Sequence, residues 1–281
     1  MIDTLYVNGC SWTAGNELET DPSLIKLIQD QGLHFRSPGN PIEFELLDEN
    51  DVPAGYANDY FDDFNWAGRL KEQLQINNLI NHARGGASNS RILRTTIDFI
   101  LSLTTEQQQS TLVVIGWTDT GRDEILFQNT WQYFNVTQPF SSTVDRLQIT
   151  DEEVIKKVDK FQEEYIVNVY NDRIGVQKYF QGIYLLSNLL ENLGIRYYFF
   201  SALPQWWTAG DLKLNHNVED ELPEYVQWYE NHRSIHPMKD NMFVFVNSTN
   251  TQLLRGKYGH PLSEGHTAWA DYLLPFIKEI L

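Results

Sequence analysis

Residues 111–115, Thr111-Leu112-Val113-Val114-Ile115, are apolar or β-branched without a break. A strand with one face in water alternates polar and apolar residues. A run like this one is buried on both faces, as in a parallel sheet covered by helices. It ends in Gly116-Trp117-Thr118-Asp119, a turn at the strand's carboxyl end. The same succession recurs upstream. Leu5-Tyr6-Val7 passes into Asn8-Gly9-Cys10-Ser11-Trp12-Thr13-Ala14-Gly15, and residues 76–80 pass into Asn81-His82-Ala83-Arg84-Gly85-Gly86-Ala87-Ser88-Asn89. Residues 195–200 and 242–246 read as a fourth and a fifth strand.

Helical spacing fills the intervals. Trp66, Leu70 and Leu74 share a face, as do Ile92, Thr96 and Ile100. Val176, Phe180, Ile183, Leu186 and Leu190 predict a helix that Gly194 stops. Trp269, Leu273, Ile277 and Leu281 mark the last helix, with Pro275 as a possible kink. Strands alternating with helices imply right-handed crossovers and a five-stranded parallel α/β sheet. The chain reads as one domain over 1–281, with insertions at about 16–64, 120–175 and 203–240. The first is acidic, carries Pro38, Pro41 and Pro53, and reads as part lid, part solvated surface. A charged helical piece is expected near residues 151–165.

The 281 residues suffice for one large core, and 42% hydrophobic residues argue against disorder. A net charge of -17 disfavours a nucleic-acid partner. Cys10 is the only cysteine, so no intrachain disulfide forms, which fits a reducing compartment. The N-terminus lacks a signal peptide's pattern, and no apolar run is long enough to span a bilayer. A cytoplasmic or virion-associated protein that does not partner a membrane is expected; the sequence leaves its oligomeric state open.

In open α/β sheets, ligands bind at the carboxyl ends of the strands. There Ser11 can attack a carbonyl if a base is within reach; alternatively it caps the next helix. Backbone N–H groups at the Gly85-Gly86 turn can hold an anion or a developing oxyanion. The loop at Gly259-His260-Pro261 can return an imidazole to the same edge.

Together these blocks resemble the SGNH (GDSL-like) hydrolases. Gly9-Cys10-Ser11 resembles the first block with its nucleophilic serine. Residues 81–86 resemble the second, in which a glycine N–H serves the oxyanion hole. Gly116-Trp117-Thr118-Asp119 resembles the third, and Gly259-His260-Pro261 with Gly265 the last, which carries the base. The extended forms Gly-Cys-Ser-Trp-Thr and Gly-Gly-Ala-Ser-Asn resemble phage-encoded branches.

The resemblance implies a flavodoxin-like three-layer α/β/α sandwich and a serine esterase without metal or organic cofactor. Ser11, His260, Gly86 and Thr118 are the implied catalytic residues, and Asn89, Trp12 and Trp117 the expected substrate contacts. A small-molecule or carbohydrate ester is the expected substrate, with an O-acetyl group first among candidates. The alternative is a degenerate member that binds carbohydrate or builds a virion.

Two positions depart from the family. Thr118 stands where a donor asparagine is usual, with Asn89 as a substitute donor or a helix cap. Lys257 stands where an acid usually orients the base, so the acid is elsewhere or absent, or a backbone carbonyl replaces it. His266 competes with His260, which Pro261 favours. Other readings remain secondary: His232 and His236 as metal ligands, Trp206, Trp207, Trp228 and Tyr229 as a sugar platform, and Arg84 and Arg91 as an anion site.

Overall fold

A computed structural model describes residues 1–36, 45–47, 53–56, 61–127, 130–135, 152–170, 172–203, 222–248, 256 and 259–281. Strand β1 (Thr4–Gly9) leads into one helical turn, α1 (Ser11–Ala14), then a 3-10 turn at Leu18–Thr20 and helix α2 (Pro22–Asp30). Three short antiparallel strands form a small sheet: β2 (His34–Arg36), β3 (Glu45–Leu47) and β4 (Pro53–Tyr56). Next come α3 (Trp66–Leu74), β5 (Asn78–Asn81), α4 (Asn89–Ser102), α5 (Thr105–Gln109) and β6 (Thr111–Trp117). An antiparallel pair, β7 (Arg122–Phe127) and β8 (Thr130–Asn135), precedes α6 (Glu152–Asn168), α7 (Asp172–Asn192) and β9 (Arg196–Ser201). The chain closes with α8 (Pro223–Glu230), α9 (Met242–Ser248) and α10 (Ser263–Ile280), which runs through Pro275.

The main sheet has the order β5-β1-β6-β9 and is parallel throughout. Alternate residues of its strands enter two separate cores, which is why the central strand β6 is buried along its whole length and apolar from Leu112 to Ile115. Leu5, Val7, Leu112, Val114, Tyr198 and Phe200 pack with Trp66 of α3 and Trp269 of α10. Tyr6, Val113, Ile115, Trp117 and Phe199 pack with Ile92 of α4 and Phe180 of α7. Helices therefore cover both faces.

The expected fifth strand at 242–246 is instead helix α9. A short apolar run does not distinguish strand from helix by itself. Here Asn241 Oδ1 accepts the Val244 N–H at 2.9 Å and its carbonyl accepts the Phe245 N–H at 3.0 Å, which starts the helix. Met242 and Val246, four apart, are buried, whereas Phe243 and Val244 are exposed. Beside β9 the sheet is extended by an isolated parallel bridge between Phe199 and Ile235, within the stretch read as an insertion. The Phe199 N–H donates to Ser234 O at 2.9 Å, and the His236 N–H to Phe199 O at 2.8 Å.

The described residues of the stretch 16–64 are not all surface. Leu18, Leu24, Ile28 and Phe61 form their own apolar cluster, and Glu17 and Asp21 are buried rather than solvated. The stretch 120–175 contributes the β7–β8 pair, all of α6 and the start of α7 at Asp172.

Gly9 and Gly116 are paired across β1 and β6, and a Cβ on either would collide with Thr13 Oγ1. Their bareness lets α1 settle onto the strand ends. Asn8, fully buried, ties this corner to α4: its Nδ2 lies 2.8 Å from Thr95 Oγ1, 3.0 Å from Thr96 Oγ1 and 3.2 Å from Ile92 O. Its Oδ1 accepts the Gly9 N–H at 2.9 Å. Asn8→Ala strips partners from buried groups and is expected to cost about 1–3 kcal/mol, measured as a lower urea midpoint with unchanged slope.

Candidate active site

Ser11 opens α1, and the cap position belongs to Cys10, whose side chain makes no capping bond. Ser11 is therefore not the helix cap; the preceding residue occupies that position without a capping bond. Cys10 itself is buried in the apolar core. His260 comes from the loop before α10. Its Nε2 lies 2.9 Å from Ser11 Oγ, across 249 residues of sequence.

The other ring nitrogen, Nδ1, lies 3.0 Å from Glu17 Oε2, and the same oxygen accepts the His260 backbone N–H at 2.8 Å. With its proton on Nδ1 toward the carboxylate, the ring presents Nε2 as an acceptor for the Ser11 hydroxyl. Hydroxyl, imidazole and carboxylate thus form a chain in hydrogen-bond contact throughout, an arrangement able to activate a hydroxyl. The Ser11 residue is 6% exposed and Glu17 3%. Ion-pair and hydrogen-bond terms at a site so shielded act with little solvent screening.

The family's position for the orienting acid, Lys257, lies outside the described residues. The acid comes from the opposite end of the chain, in a stretch read as solvated surface. Glu17 sits at φ 73°, a left-handed backbone unusual for a non-glycine residue, just before the 3-10 turn. Gly256 makes room for it: a Cβ there would stand 2.6 Å from Glu17 Oε1. The Gly256 N–H donates to His260 O at 2.8 Å, closing the turn that presents the imidazole.

A second acid four residues on reinforces the junction. Asp21 Oδ1 accepts from the Ser23 and Leu24 N–H groups and caps α2. Its Oδ2 accepts the Ser263 N–H at 2.9 Å and the Ser263 hydroxyl, at the start of α10. Burial pushes the Asp21 carboxyl up, but the Ser263, Ser23 and Leu24 donors outweigh it and hold the carboxyl below its ordinary range.

His266 is fully buried in α10, and neither ring nitrogen has a hydrogen-bond partner. Burial, then the neighbouring His260, lower its pKa to about 3. It is a core imidazole rather than a rival base.

The remaining expected site residues divide. The Arg84 N–H donates to Gly9 O at 3.1 Å, so the Gly85-Gly86 turn runs beside the end of β1. Gly86 is exposed at φ 75°, and Gly85 abuts the Asn16 side chain, five residues after Ser11. Thr118 is fully buried. Its N–H donates to Asn89 Oδ1 at 2.9 Å, and Asn89 Nδ2 donates back to Thr118 O at 2.9 Å. Asn89 is therefore neither the helix cap, a role Ser88 fills, nor a spare oxyanion donor.

Trp12 is buried against Phe243 and the His260 ring, and Trp117 is buried against Phe199 and Tyr179. Both belong to the packed core rather than to an open contact surface. Asn89 and Trp117 line a cavity that includes neither Ser11 nor His260.

Tyr229 is core, and Trp228 packs on Tyr184 and His232, while Trp206 and Trp207 lie outside the described residues. The His232 ring contacts Tyr197 and Glu191, and the His236 ring contacts Tyr198. Among the described residues no group of three His, Cys, Asp or Glu side chains could hold a metal ion. No helix among them is long and apolar enough to cross a membrane. Arg84 and Arg91 line a cavity of about 520 Å³ with Asn16, Asn81, His82 and Gly85.

Glu19 has a buried Oε2 without a hydrogen-bond partner; burial foremost, with a contribution from the charge of Glu17, raises its pKa from 4.5 to about 7. Between those values the folded chain holds a proton that the unfolded chain has released. Stability therefore falls as pH rises from 4.5 to 7 and is not regained above. Glu19→Gln removes that loss, so the variant is expected to melt above the wild type at pH 8 and level with it at pH 4, followed by circular dichroism.

A family model described as "Family of unknown function (DUF6071)" matches residues 44–281, and the chain belongs to that family. His260 lies inside the matched span; Ser11 and Glu17 precede it. No curated protein matches the chain. Among solved structures, the chain is similar to a member of the lipolytic protein G-D-S-L family from Veillonella parvula DSM 2008, with 12% identity over 97% of this chain and 96% of that one and a TM-score of 0.42. It is similar to TesA, with 12% identity over 99% and 100% and a TM-score of 0.41. It is also similar to the lipase Lip_vut3 from goat rumen metagenome, with 13% identity over 98% and 97% and a TM-score of 0.44.

Proposed function

We propose that this member of the DUF6071 family is a serine hydrolase that cleaves carboxylic esters through an acyl-enzyme. The observation that carries the reading is the unbroken chain from Ser11 Oγ through the His260 ring to Glu17 Oε2, at 2.9 and 3.0 Å. A buried carboxylate, a correctly oriented imidazole and a hydroxyl in one line activate the hydroxyl for attack on a carbonyl carbon.

The steps use this chain's own groups. Ser11 Oγ bonds to the ester carbon as its proton passes to His260 Nε2. Glu17 accepts from Nδ1–H and stabilises the imidazolium, without taking its proton. The N–H groups of Ser11 and Gly86 face the developing oxyanion. Collapse expels the alcohol, which takes the proton from Nε2. Water, deprotonated by the same nitrogen, then releases the acid and restores Ser11.

A short acyl group on a polar alcohol is the proposed substrate, with an O-acetylated carbohydrate first among candidates. The cavity beside the Gly85 turn, which borders Ala14 and Asn16 but contains neither Ser11 nor His260, is assigned to the polar half. Asn16, Asn81, His82, Arg84 and Arg91 surround it with hydrogen-bonding groups. A binding role, in a virion or on carbohydrate, is the second reading. It draws on Thr118 replacing the family's donor asparagine and on Asn89 being committed to the Thr118 backbone.

Hydrolysis of p-nitrophenyl acetate and acetylated xylose, with fluorophosphonate labelling read by mass spectrometry, separates the two. The expected label is on Ser11. Ser11→Ala is expected to lower kcat by about 10⁶ and Glu17→Gln by up to about 10⁴. Activity surviving in Ser11→Ala removes the serine from the mechanism; no turnover and no label on wild type favours the binding role.

A further inference from the structure

The cavity bordered by Ala14, Asn16 and Gly85 has a wall whose charge runs against that of the chain. The protein carries a net charge of -17, yet the wall carries Arg84 and Arg91 against a single acid, Asp98. Helix α4 starts at the carboxyl edge of the sheet and runs back along it. Arg91, in its first turn, therefore lies on the same side as Ser11. Asp98 is exposed and lies two turns further, about 10 Å along the helix.

Arg91 is half-buried and held by a neutral group: its Nη1 donates to His82 O at 2.9 Å. Among the described residues it forms no ion pair. Arg94, one turn on, is by contrast taken by both oxygens of Glu124, at 3.0 and 3.1 Å. The Nε–Nη2 edge of Arg91, which pairs two-for-two with a carboxylate, is uncommitted. Unlike the idle indole N–H groups of Trp66 and Trp269, that edge is not closed off from solvent.

Asn16 repeats the pattern. Its side-chain amide has no hydrogen-bond partner among the described residues and is open to the cavity. Gly85 sets its place, since a Cβ there would stand 2.8 Å from Asn16 Nδ2. The Asn16 backbone N–H donates to Ser11 O at 3.1 Å, which ties the amide to the turn that presents the serine. His82 adds no charge to the wall: burial, then the charge of Arg91, lowers its pKa.

We propose that this cavity receives a carboxylate carried by the alcohol half of the ester, with the open edge of Arg91 pairing with it and the Asn16 amide beside it. The inference rests on ester hydrolysis at Ser11 for its use, though not for the binding itself. It narrows the substrate from a polar alcohol to an anionic one, which a protein this acidic repels everywhere but at a local basic site.

Three acetate esters of one phenol test it on the full chain: para-hydroxyphenylpropanoate, its amide, and the phosphate monoester of the matching alcohol. The distinguishing group ends a short chain, so the leaving phenol is equally good in all three. Wild type is expected to favour the carboxylate over the amide at least about tenfold in kcat/KM. Arg91→Gln is expected to abolish that preference and Asn16→Ala to reduce it, with circular dichroism spectra unchanged. By titration calorimetry, the free acid para-hydroxyphenylpropanoate is expected to bind Ser11→Ala, and to bind the Ser11→Ala, Arg91→Gln double variant at least about tenfold more weakly.

A wild-type preference smaller than that overturns the proposal, as does a preference that Arg91→Gln leaves intact. Should Arg91→Gln not fold, an unchanged preference in Asn16→Ala does the same. Faster turnover of the phosphate ester would give the site to phosphate and sink the carboxylate. If none of the esters turns over and fluorophosphonate leaves Ser11 unlabelled, the hydrolase reading has failed by itself. The carboxylate site is then decided by calorimetry: binding that needs Arg91 sustains it, and no binding overturns it.

Discussion

One carboxylate oxygen, Glu17 Oε2, holds the site together. It accepts two hydrogen bonds from one residue, the backbone N–H and the ring Nδ1–H of His260. The first fixes where the C-terminal loop lies; the second fixes the ring's tautomer and direction. A charged acceptor makes both bonds stronger than neutral ones, and burial shields them from water. The N-terminal segment thus holds the C-terminal loop in place, and Ser11, on the same segment, meets the His260 imidazole.

That arrangement is reinforced at a small distance and carries a local cost. Glu17 adopts a left-handed backbone, which for such a residue costs of order 1–3 kcal/mol. Asp21, four residues on, grips the first turn of α10 while capping α2. Glu17 thus holds His260, and Asp21 holds Ser263 three residues on. Below them, Gly9 and Gly116 let Thr13 lie against the strand ends, and Asn8 binds the corner to α4. The serine is presented by a short helical turn, but the turn itself rests on a fully buried foundation.

Much of this frame was legible as local pattern. The helix at Trp66–Leu74 has the span its spacing implies, because its apolar stripe faces one core and nothing competes with it. The strand at Thr111–Trp117 follows from an unbroken apolar run buried on both sides. The run at 242–246 misled because five β-rich residues suit a strand or a helix equally. The Asn241 cap and the burial of Met242 and Val246 at helical spacing chose the helix. Asn89 was weighed as a cap, yet Ser88 took that position and freed Asn89 to pair with the Thr118 backbone.

The sequence by itself determined the alternation of strands and helices, the parallel sheet, and the serine and histidine blocks, since each is written in residues close together along the chain. Only the tertiary structure decided which acid serves His260 and which cavity Asn89 and Trp117 border. Glu17 is one of 38 acidic residues, with no local spacing to mark it. Its role comes from a contact made 243 residues away, which depends on a left-handed turn at one end and a bare Cα at the other. Such a contact is a property of the packed chain as a whole, because neither end has any reason to adopt its shape until the other is in place.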